Sequence, residues 1–572
     1  MNSEKRIRIW IPLWIALSIA VGVFIGNKYS KLGGSVNRLS GTGKLDAVLR
    51  YIDNSYVDTV NMRGLVEDAL PSIVQELDPH SVYIPAEEMK RVNEDLEGHF
   101  SGIGVTFFVL KDTIVVTSIV PGGPSEAAGI KPWDRIVTVN DSLVAGKKIT
   151  NADVLKTLRG EKGSEVKLGI KRDDAATLSE IIVTRGDIPM QSVPVSYMLT
   201  ETIGYIKITT FAFPTFGEFI SAISKLKSMG CNAFVIDLRG NFGGSLDAVV
   251  AMVNEFLNKN DLIVYAEGRN FPREDKYANG SGTSKSDQII VMIDEMSASA
   301  SEIFAGAIQD NDRGLIIGRR SFGKGLVQSQ RDFPDGSAIR LTVARYYTPS
   351  GRSIQRKYEK GKYDEYEMEA VNRYIQGDYV NIDTVSNENI IPFKTVGGRT
   401  VYAGDGIMPD IFVPRDTSGI NSYYNLLANN NILQEYATVY SDMNKKRLQE
   451  FETWPEMHSF LRKQPLLVNL ASYADNKGIR RRPYYIEESR DLIESQVEAL
   501  IIRNFFGEEG FYSVLMKSDK LLMKATELIE TGKNTTDAVR EGLYSSVNGN
   551  RFLKNVRQNS VAAVLLVPGN FV

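Results

Sequence analysis

Cysteine is almost missing: Cys231 is the sole one in 572 residues. A disulfide within the chain and thiolate metal clusters are therefore excluded. Histidine is nearly as scarce, with only His80, His99 and His458. That starves any mechanism built on a histidine base or a multi-histidine metal site, and neither a metal nor a cofactor is expected. A charge excess of one sign is lacking too. The net charge of −3 gives no electrostatic reason to expect nucleic acid as a partner. No Gly-x-Gly-x-x-Gly opens a helix, so a dinucleotide site is not indicated, and no internal repeat is present.

What is there is a folded, multidomain chain. Hydrophobic residues make up 43% and charged residues 24%, a globular balance, and the length calls for three or more domains. Lys5, Arg6 and Arg8 precede an uncharged apolar run, Ile9 to Gly26. A membrane-spanning helix needs about 20 apolar residues, with a range starting near 17. The reading is a cytoplasmic tail over 1–8 and a single-pass signal anchor over 9–26, with the bulk of the chain outside the cytoplasm in the periplasm or an equivalent space. The rival is a cleaved signal peptide, which lacks a convincing small-x-small site before Asn27. A polar linker follows over 27–42.

Residues 43–97 carry helical spacing, as in Leu65, Ala69, Ile73 and Leu77. From Gly98 the period shortens. Short strands at 102–109, 113–120, 134–140 and 165–172 alternate with two helices, one ending at Gly129 and one over 150–158. After Arg185 the pattern becomes α/β: strands at 203–209, 233–238, 288–293 and 314–318, with helices near 215–229, 246–258 and 299–310. Residues 352–400 form a polar insertion, and 420–545 read as a separate, charge-rich helical bundle.

Three segments offer chemistry. In Ile293-Asp-Glu-Met-Ser-Ala-Ser-Ala-Ser-Glu-Ile-Phe, a strand gives way to small residues and a helix. Ser299 with Glu302 three positions on is a capping-box pattern. The same place would let a serine nucleophile use helix N-terminal amides against an oxyanion. Ser297 and Ser301 are the competing hydroxyls. A serine needs a base, and a buried lysine with a lowered pKa can serve. Lys324, between two glycines just past an apolar strand, is the candidate; Gln328 points the same way on an extended segment and can hold the amine. The third segment, Asp237-Leu-Arg-Gly-Asn-Phe-Gly-Gly244, is a strand running into a glycine turn whose amides suit an anion. It lacks the Gly-Lys-Ser/Thr of a phosphate loop.

These segments, in this order, resemble the C-terminal processing peptidases (tail-specific proteases) of the S41 serine peptidase family. The resemblance covers roughly residues 45–415. It includes Leu77-Asp-Pro-His-Ser, Gly102-Ile-Gly-Val, Pro121-Gly-Gly-Pro-Ser-Glu-Ala-Ala-Gly, Phe322-Gly-Lys-Gly and Tyr347-Thr-Pro-Ser-Gly-Arg. It implies a helical part of the peptidase over 43–97, a PDZ-like domain over 98–186 and a crotonase-like α/β catalytic core over 187–415; with the membrane helix and a C-terminal helical extension over 416–572, which has no clear place in the family pattern, the expectation is a multidomain α/β and α+β protein. It implies Ser299 as nucleophile, Lys324 as general base, Gln328 as the residue orienting the lysine, and Ala300 with Gly243 or Gly244 as the oxyanion hole. Phe242 stands where many relatives have proline. Asp310 matches an acidic residue assigned in some relatives. Eleven residues along a helix place it about 16 Å from Ser299 along the axis, which suits a supporting role. In the PDZ-like domain Gly102, Ile103, Gly104 and Val105 match the loop that holds a peptide carboxylate. Arg159 matches an arginine coupling peptide binding to the catalytic site; as a plain residue it is a helix C-terminal cation before Gly160.

The function so implied is a membrane-anchored serine endopeptidase acting, through an acyl-enzyme, on exported proteins with apolar C-termini. The alternatives are a catalytically silent PDZ scaffold or sensor and a crotonase-like acyl-transfer enzyme. The C-terminal segment is expected to serve dimerisation or adaptor binding. The chain's own apolar tail, Val561 to Val572, suggests an occupant for the PDZ groove.

Overall fold

The computed structural model describes residues 18, 19, 21–23, 41–172, 175, 177–381 and 391–533. Most of the apolar run 9–26, most of the linker 27–42 and the tail from Val561 to Val572 lie outside them. No helix among the described residues is long and apolar enough to cross a membrane.

The chain divides into two compact units, Met1–Glu76 and Leu77–Val572. The first holds the helices Gly41–Ser55 and Met62–Gln75. The second helix starts where the Asn61 side chain accepts from the Gly64 N–H, supplying one of the partners that a helix start lacks.

The second unit is centred on a six-stranded sheet. In spatial order its strands are Val195–Met198, Ile203–Lys207, Ala233–Asp237, Gln288–Ile293, Leu315–Gly318 and Ile411–Phe412. All neighbours are parallel except the first pair. Ala233–Asp237 is buried along its whole length, as expected when helices cover both faces of a parallel sheet. One face packs on helices Thr215–Ser228, Leu246–Asn254 and Ala300–Asp310 through Phe219, Val249, Phe256 and Phe304. The other face is covered by helix Lys520–Glu530 through Leu521, Leu522, Ala525 and Leu528. The C-terminal segment is thus only partly a bundle of its own. Its remaining helices share a core around Leu427, Leu461, Leu470 and Ile501, but its last described helix completes the α/β core. Composition could not reveal this, because an amphipathic helix does not name the surface it covers.

Within 43–97 the helical reading breaks at Val82–Ile84, a strand paired antiparallel with Ala338–Tyr347; helix Ala86–Glu97 follows. Ala338–Tyr347 also pairs with Leu326–Asp332 and Leu262–Gly268, which builds a second sheet that holds the segment after Lys324. The insertion contains helix Tyr363–Gln376.

Residues 98–186 form a small sheet in the order Val105–Leu110, Thr113–Ile119, Arg135–Val139, Glu165–Lys171, Ser179–Thr184. Helix Asn151–Leu158 closes a core of Ile114, Val116, Ile136, Val154 and Leu168. Strands His99–Gly102 and Gly186–Pro189 pair as the stalk. The outer face of this sheet (Phe108, Leu110, Val115, Trp133) rests on Val439 and Phe505 of the helical segment. Arg135 pairs there with Asp442 at 2.6 Å.

Candidate active site

The strand Gln288–Ile293 ends at a tight turn that uses two of the three clustered serines structurally. Ser297 Oγ donates to the Leu238 carbonyl at 2.8 Å, and Ser301 Oγ donates to the Asn241 carbonyl at 2.8 Å. Both are fully buried. Ser299 is the half-buried one, at the N-terminus of helix Ala300–Asp310, with φ 54° and ψ −112°. A non-glycine residue in that region is strained, and such strain gathers at functional positions.

The glycine turn presses against it. A Cβ on Gly243, at φ 105°, would sit 2.8 Å from both the Ala298 carbonyl oxygen and Ser299 Cβ; one on Gly244, at φ 138°, would sit 2.2 Å from the Phe211 carbonyl oxygen. Only glycine fits. The Gly243 N–H is committed to Asn241 Oδ1 at 2.8 Å. The Ala300 and Gly244 N–H groups have no partner among the described residues, so Gly244 is the free donor of the two glycines.

Lys324 lies just before strand Leu326–Asp332. Its amine donates to Gln328 Oε1 at 3.1 Å, and Gln328 Nε2 donates to the His80 carbonyl. Burial, and then the Arg340 charge, hold the Lys324 pKa below the usual lysine value, against Glu302 and Asp78. A lowered pKa is what a lysine base requires. Among the described residues no hydrogen bond joins Ser299 to Lys324.

Glu302 links the two. One carboxylate oxygen accepts the Ser299 N–H at 2.9 Å and the Lys324 N–H at 2.8 Å. The other accepts the Gly323 N–H at 2.7 Å and the Ser321 hydroxyl at 2.5 Å. Burial raises its pKa, and these four donors oppose the rise. The capping-box pattern showed only the Ser299 half of this arrangement; the half across 22 positions carries no local signal.

His80 is the other residue that sequence reasoning missed. Asp78 fixes its turn by accepting the His80 and Ser81 N–H groups, each at 2.8 Å. Burial, then Lys324, pull the His80 pKa down to about 3, so the ring is neutral.

Asp310 lies at the far end of the Ser299 helix. It pairs with Arg352 at 2.8 Å and accepts from the Thr348 hydroxyl, pinning the Thr-Pro-Ser-Gly-Arg segment. In the 98–186 sheet, Gly102–Val105 leads into Val105–Leu110, whose other edge pairs with no strand among the described residues. The Ile103 and Gly104 N–H groups take no partner among the described residues. Arg159 is not in that loop. It stacks over Phe100 at 4.1 Å and meets Glu94 at 3.4 Å, across the stalk.

The fold and this constellation define the class: an α/β core with an inserted small β domain, in which one buried carboxylate ties a serine turn to a lysine loop. Comparison with known proteins agrees. Residues 202–363 match the model of peptidase family S41, residues 101–183 that of the PDZ domain, and residues 423–507 that of a family of unknown function. A probable CtpA-like serine protease of Staphylococcus haemolyticus (strain JCSC1435) is 37% identical over 55% of this chain and 62% of its own length. The carboxy-terminal processing protease CtpA of Bacillus subtilis (strain 168) is 34% identical over 55% of this chain and 66% of its own. Among solved structures, the photosystem II D1 C-terminal processing protease is similar at 28% identity and a TM-score of 0.31, covering 54% of this chain and 88% of that one. The chain thus carries a segment similar to peptidase family S41 and a PDZ domain. It spans less than two thirds of the length of these two curated relatives.

Proposed function

We propose that this protein is a serine endopeptidase that cleaves exported proteins recognised through apolar C-terminal tails. The observation that carries the reading is the Glu302 carboxylate holding the Ser299 and Lys324 backbones together beside two unpartnered amides.

In the proposed reaction, Ser299 Oγ attacks the scissile carbonyl carbon and its proton passes to the neutral Lys324 amine. The carbonyl oxygen becomes an oxyanion that accepts from the Ala300 and Gly244 N–H groups. Collapse breaks the C–N bond, and the leaving amine takes the proton from Lys324. Water then attacks the acyl-enzyme by the same route in reverse, freeing Ser299. Each oxyanion donor is worth about 10²–10³ in rate. Gln328 keeps the amine oriented, and Asp310 supports the helix from its far end. A substrate tail adds as a strand along Val105–Leu110, with its carboxylate at the Gly102–Val105 loop. Arg159, which spans the stalk, couples that event to the core.

The basic residues before the apolar run 9–26 support a membrane anchor with the catalytic part outside the cytoplasm. A second reading, a silent PDZ scaffold, draws on the missing hydrogen bond between Ser299 and Lys324. Apo dyads often tighten only around substrate.

The test uses an unfolded protein bearing an apolar C-terminal tail, with the parent, Ser299→Ala and Lys324→Ala. Cleavage by the parent that both variants lose, by at least about 10³-fold, is the expected outcome. Cleavage that survives both overturns the assignment. Tail binding without cleavage in all three supports the scaffold.

A further inference from the structure

Helix Tyr363–Gln376 of the polar insertion has two buried residues, Tyr366 and Arg373. They lie seven apart and so share one face. Both reach the segment that carries Lys324. Arg373 donates to the carbonyls of Ser321 at 3.3 Å and Arg320 at 3.1 Å. The Tyr366 hydroxyl meets His80 Nε2 at 2.7 Å.

Behind that contact runs a continuous chain of hydrogen bonds: His80 carbonyl to Gln328 amide, Gln328 carbonyl to Lys324 amine. A clamp reinforces it. The Arg356 guanidinium lies 3.6 Å from the Tyr366 ring centre and 4.3 Å from that of Phe322. The Arg356 N–H donates to the Gly323 carbonyl at 3.0 Å, and its side chain donates to the Tyr366 carbonyl at 3.1 Å. A solvated polar helix would need none of this. Its only buried side chains reach the four residues before Lys324 and the turn that holds Gln328.

We propose that the insertion helix is a positioning element of the Ser299–Lys324 dyad, with Tyr366 acting through His80 and Gln328 to aim the Lys324 amine. The inference rests on the peptidase reading above. Tyr366 touches no reacting atom. It fixes the His80 ring, and with it the direction of the carbonyl that holds Gln328.

The consequence is specific to protonation. If Gln328 is released, the Lys324 amine swings toward water. Its charged form is then better solvated, and its pKa moves back up toward the ordinary lysine value. The groups facing Lys324 are Arg340, Glu302 and Asp78; those facing His80 are Lys324, Asp78, Arg356 and Tyr366. None is altered by Tyr366→Phe apart from Tyr366 itself, which keeps its ring under Arg356.

The experiment compares the full chain, Tyr366→Phe and Ser299→Ala on a fluorescein-labelled unfolded protein with an apolar C-terminal tail, across pH. For Tyr366→Phe the expected result is a kcat roughly ten-fold lower near neutrality, a small part of the about 10²–10⁴ that a general base supplies. KM should stay nearly unchanged, the acidic limb of the profile should move to higher pH, and activity should recover on the alkaline side. A parental kcat and profile overturn the proposal. So does a fall of equal size at every pH accompanied by a lower melting temperature, which marks a merely structural tyrosine. Arg373→Lys provides the second arm: retained kcat and profile in it, alongside a silent Tyr366→Phe, remove the helix from the mechanism. If Ser299→Ala keeps cleaving, the dyad reading itself fails, an outcome separate from a silent Tyr366→Phe in an enzyme that Ser299→Ala kills.

Discussion

Glu302 is fully buried, and a buried carboxylate is costly unless its oxygens are satisfied. Its four donors come from Ser299, Ser321, Gly323 and Lys324, so the cost of the carboxylate is offset only when the Ser299 and Lys324 segments are in register. Lys324 itself sits against stability. Its pKa is lowered in the folded protein, mainly by burial, so the folded state binds that proton less tightly than the unfolded chain does. The cost is fully present below the folded pKa and vanishes as pH rises past the unfolded value of 10.5. Lys324→Met should therefore unfold at a higher temperature than the parent near neutrality, with the gap closing in alkaline buffer. Thermal unfolding followed across pH checks this, and a gap independent of pH would place the amine in water. The same depressed pKa predicts an acidic limb of kcat/KM below the ordinary lysine range.

At the scale of elements, the glycine turn is the least replaceable piece. A Cβ on Gly244 would overlap the Phe211 carbonyl oxygen, and its φ of 138° is barred to other residues. Gly244→Ala should cost about 1–3 kcal/mol of stability and, on the proposed mechanism, lower kcat by at least ten-fold, since the N–H of residue 244 itself, the proposed oxyanion donor, must shift. Denaturant unfolding and steady-state kinetics on one preparation separate the two effects; an active, stable variant would move the donor elsewhere. The elements around this turn were readable in sequence where they are apolar. The strands near 203, 233, 288 and 315 begin within a residue of expectation, because a parallel strand buried on both faces is an unbroken apolar run. The hairpin Leu262–Gly268 with Phe271–Tyr277 and the insertion helix were not readable. Phe-Pro-Arg-Glu-Asp-Lys-Tyr and Tyr-Asp-Glu-Tyr-Glu-Met-Glu-Ala are mostly polar, and their conformation is fixed by what they pack on.

At the scale of the whole Leu77–Val572 unit, the C-terminal segment acts as a brace. It docks the PDZ sheet through Val439, Phe505 and Asp442. It covers the six-stranded sheet with Leu521 and Leu528, and Asp519 holds Arg239 of the Asp-Leu-Arg-Gly turn at 2.7 Å. Trp133 and Phe505 meet with ring centres 5.6 Å apart. Phe505→Ala should weaken this docking by about 1–3 kcal/mol. Hydrogen exchange read by mass spectrometry should then speed up over Thr113–Ile119 and leave Ala233–Asp237 unchanged. Equal exchange in both proteins would show that the stalk alone holds the PDZ domain.

The order of segments, the α/β core and the PDZ module were legible in sequence alone, because each rests on local chemistry: glycines where the chain turns, small residues before a helix, unbroken apolar runs in the buried strands. Tertiary structure alone decided which serine is left half-buried, which glycine amide is free, and that Glu302, His80 and Tyr366 converge on the segments carrying Ser299 and Lys324. Apart from the Gly243 amide, which Asn241 takes from two positions away, those facts depend on contacts between residues 19 to 286 positions apart, and a side chain's neighbours at that distance are set by packing, which no local pattern records.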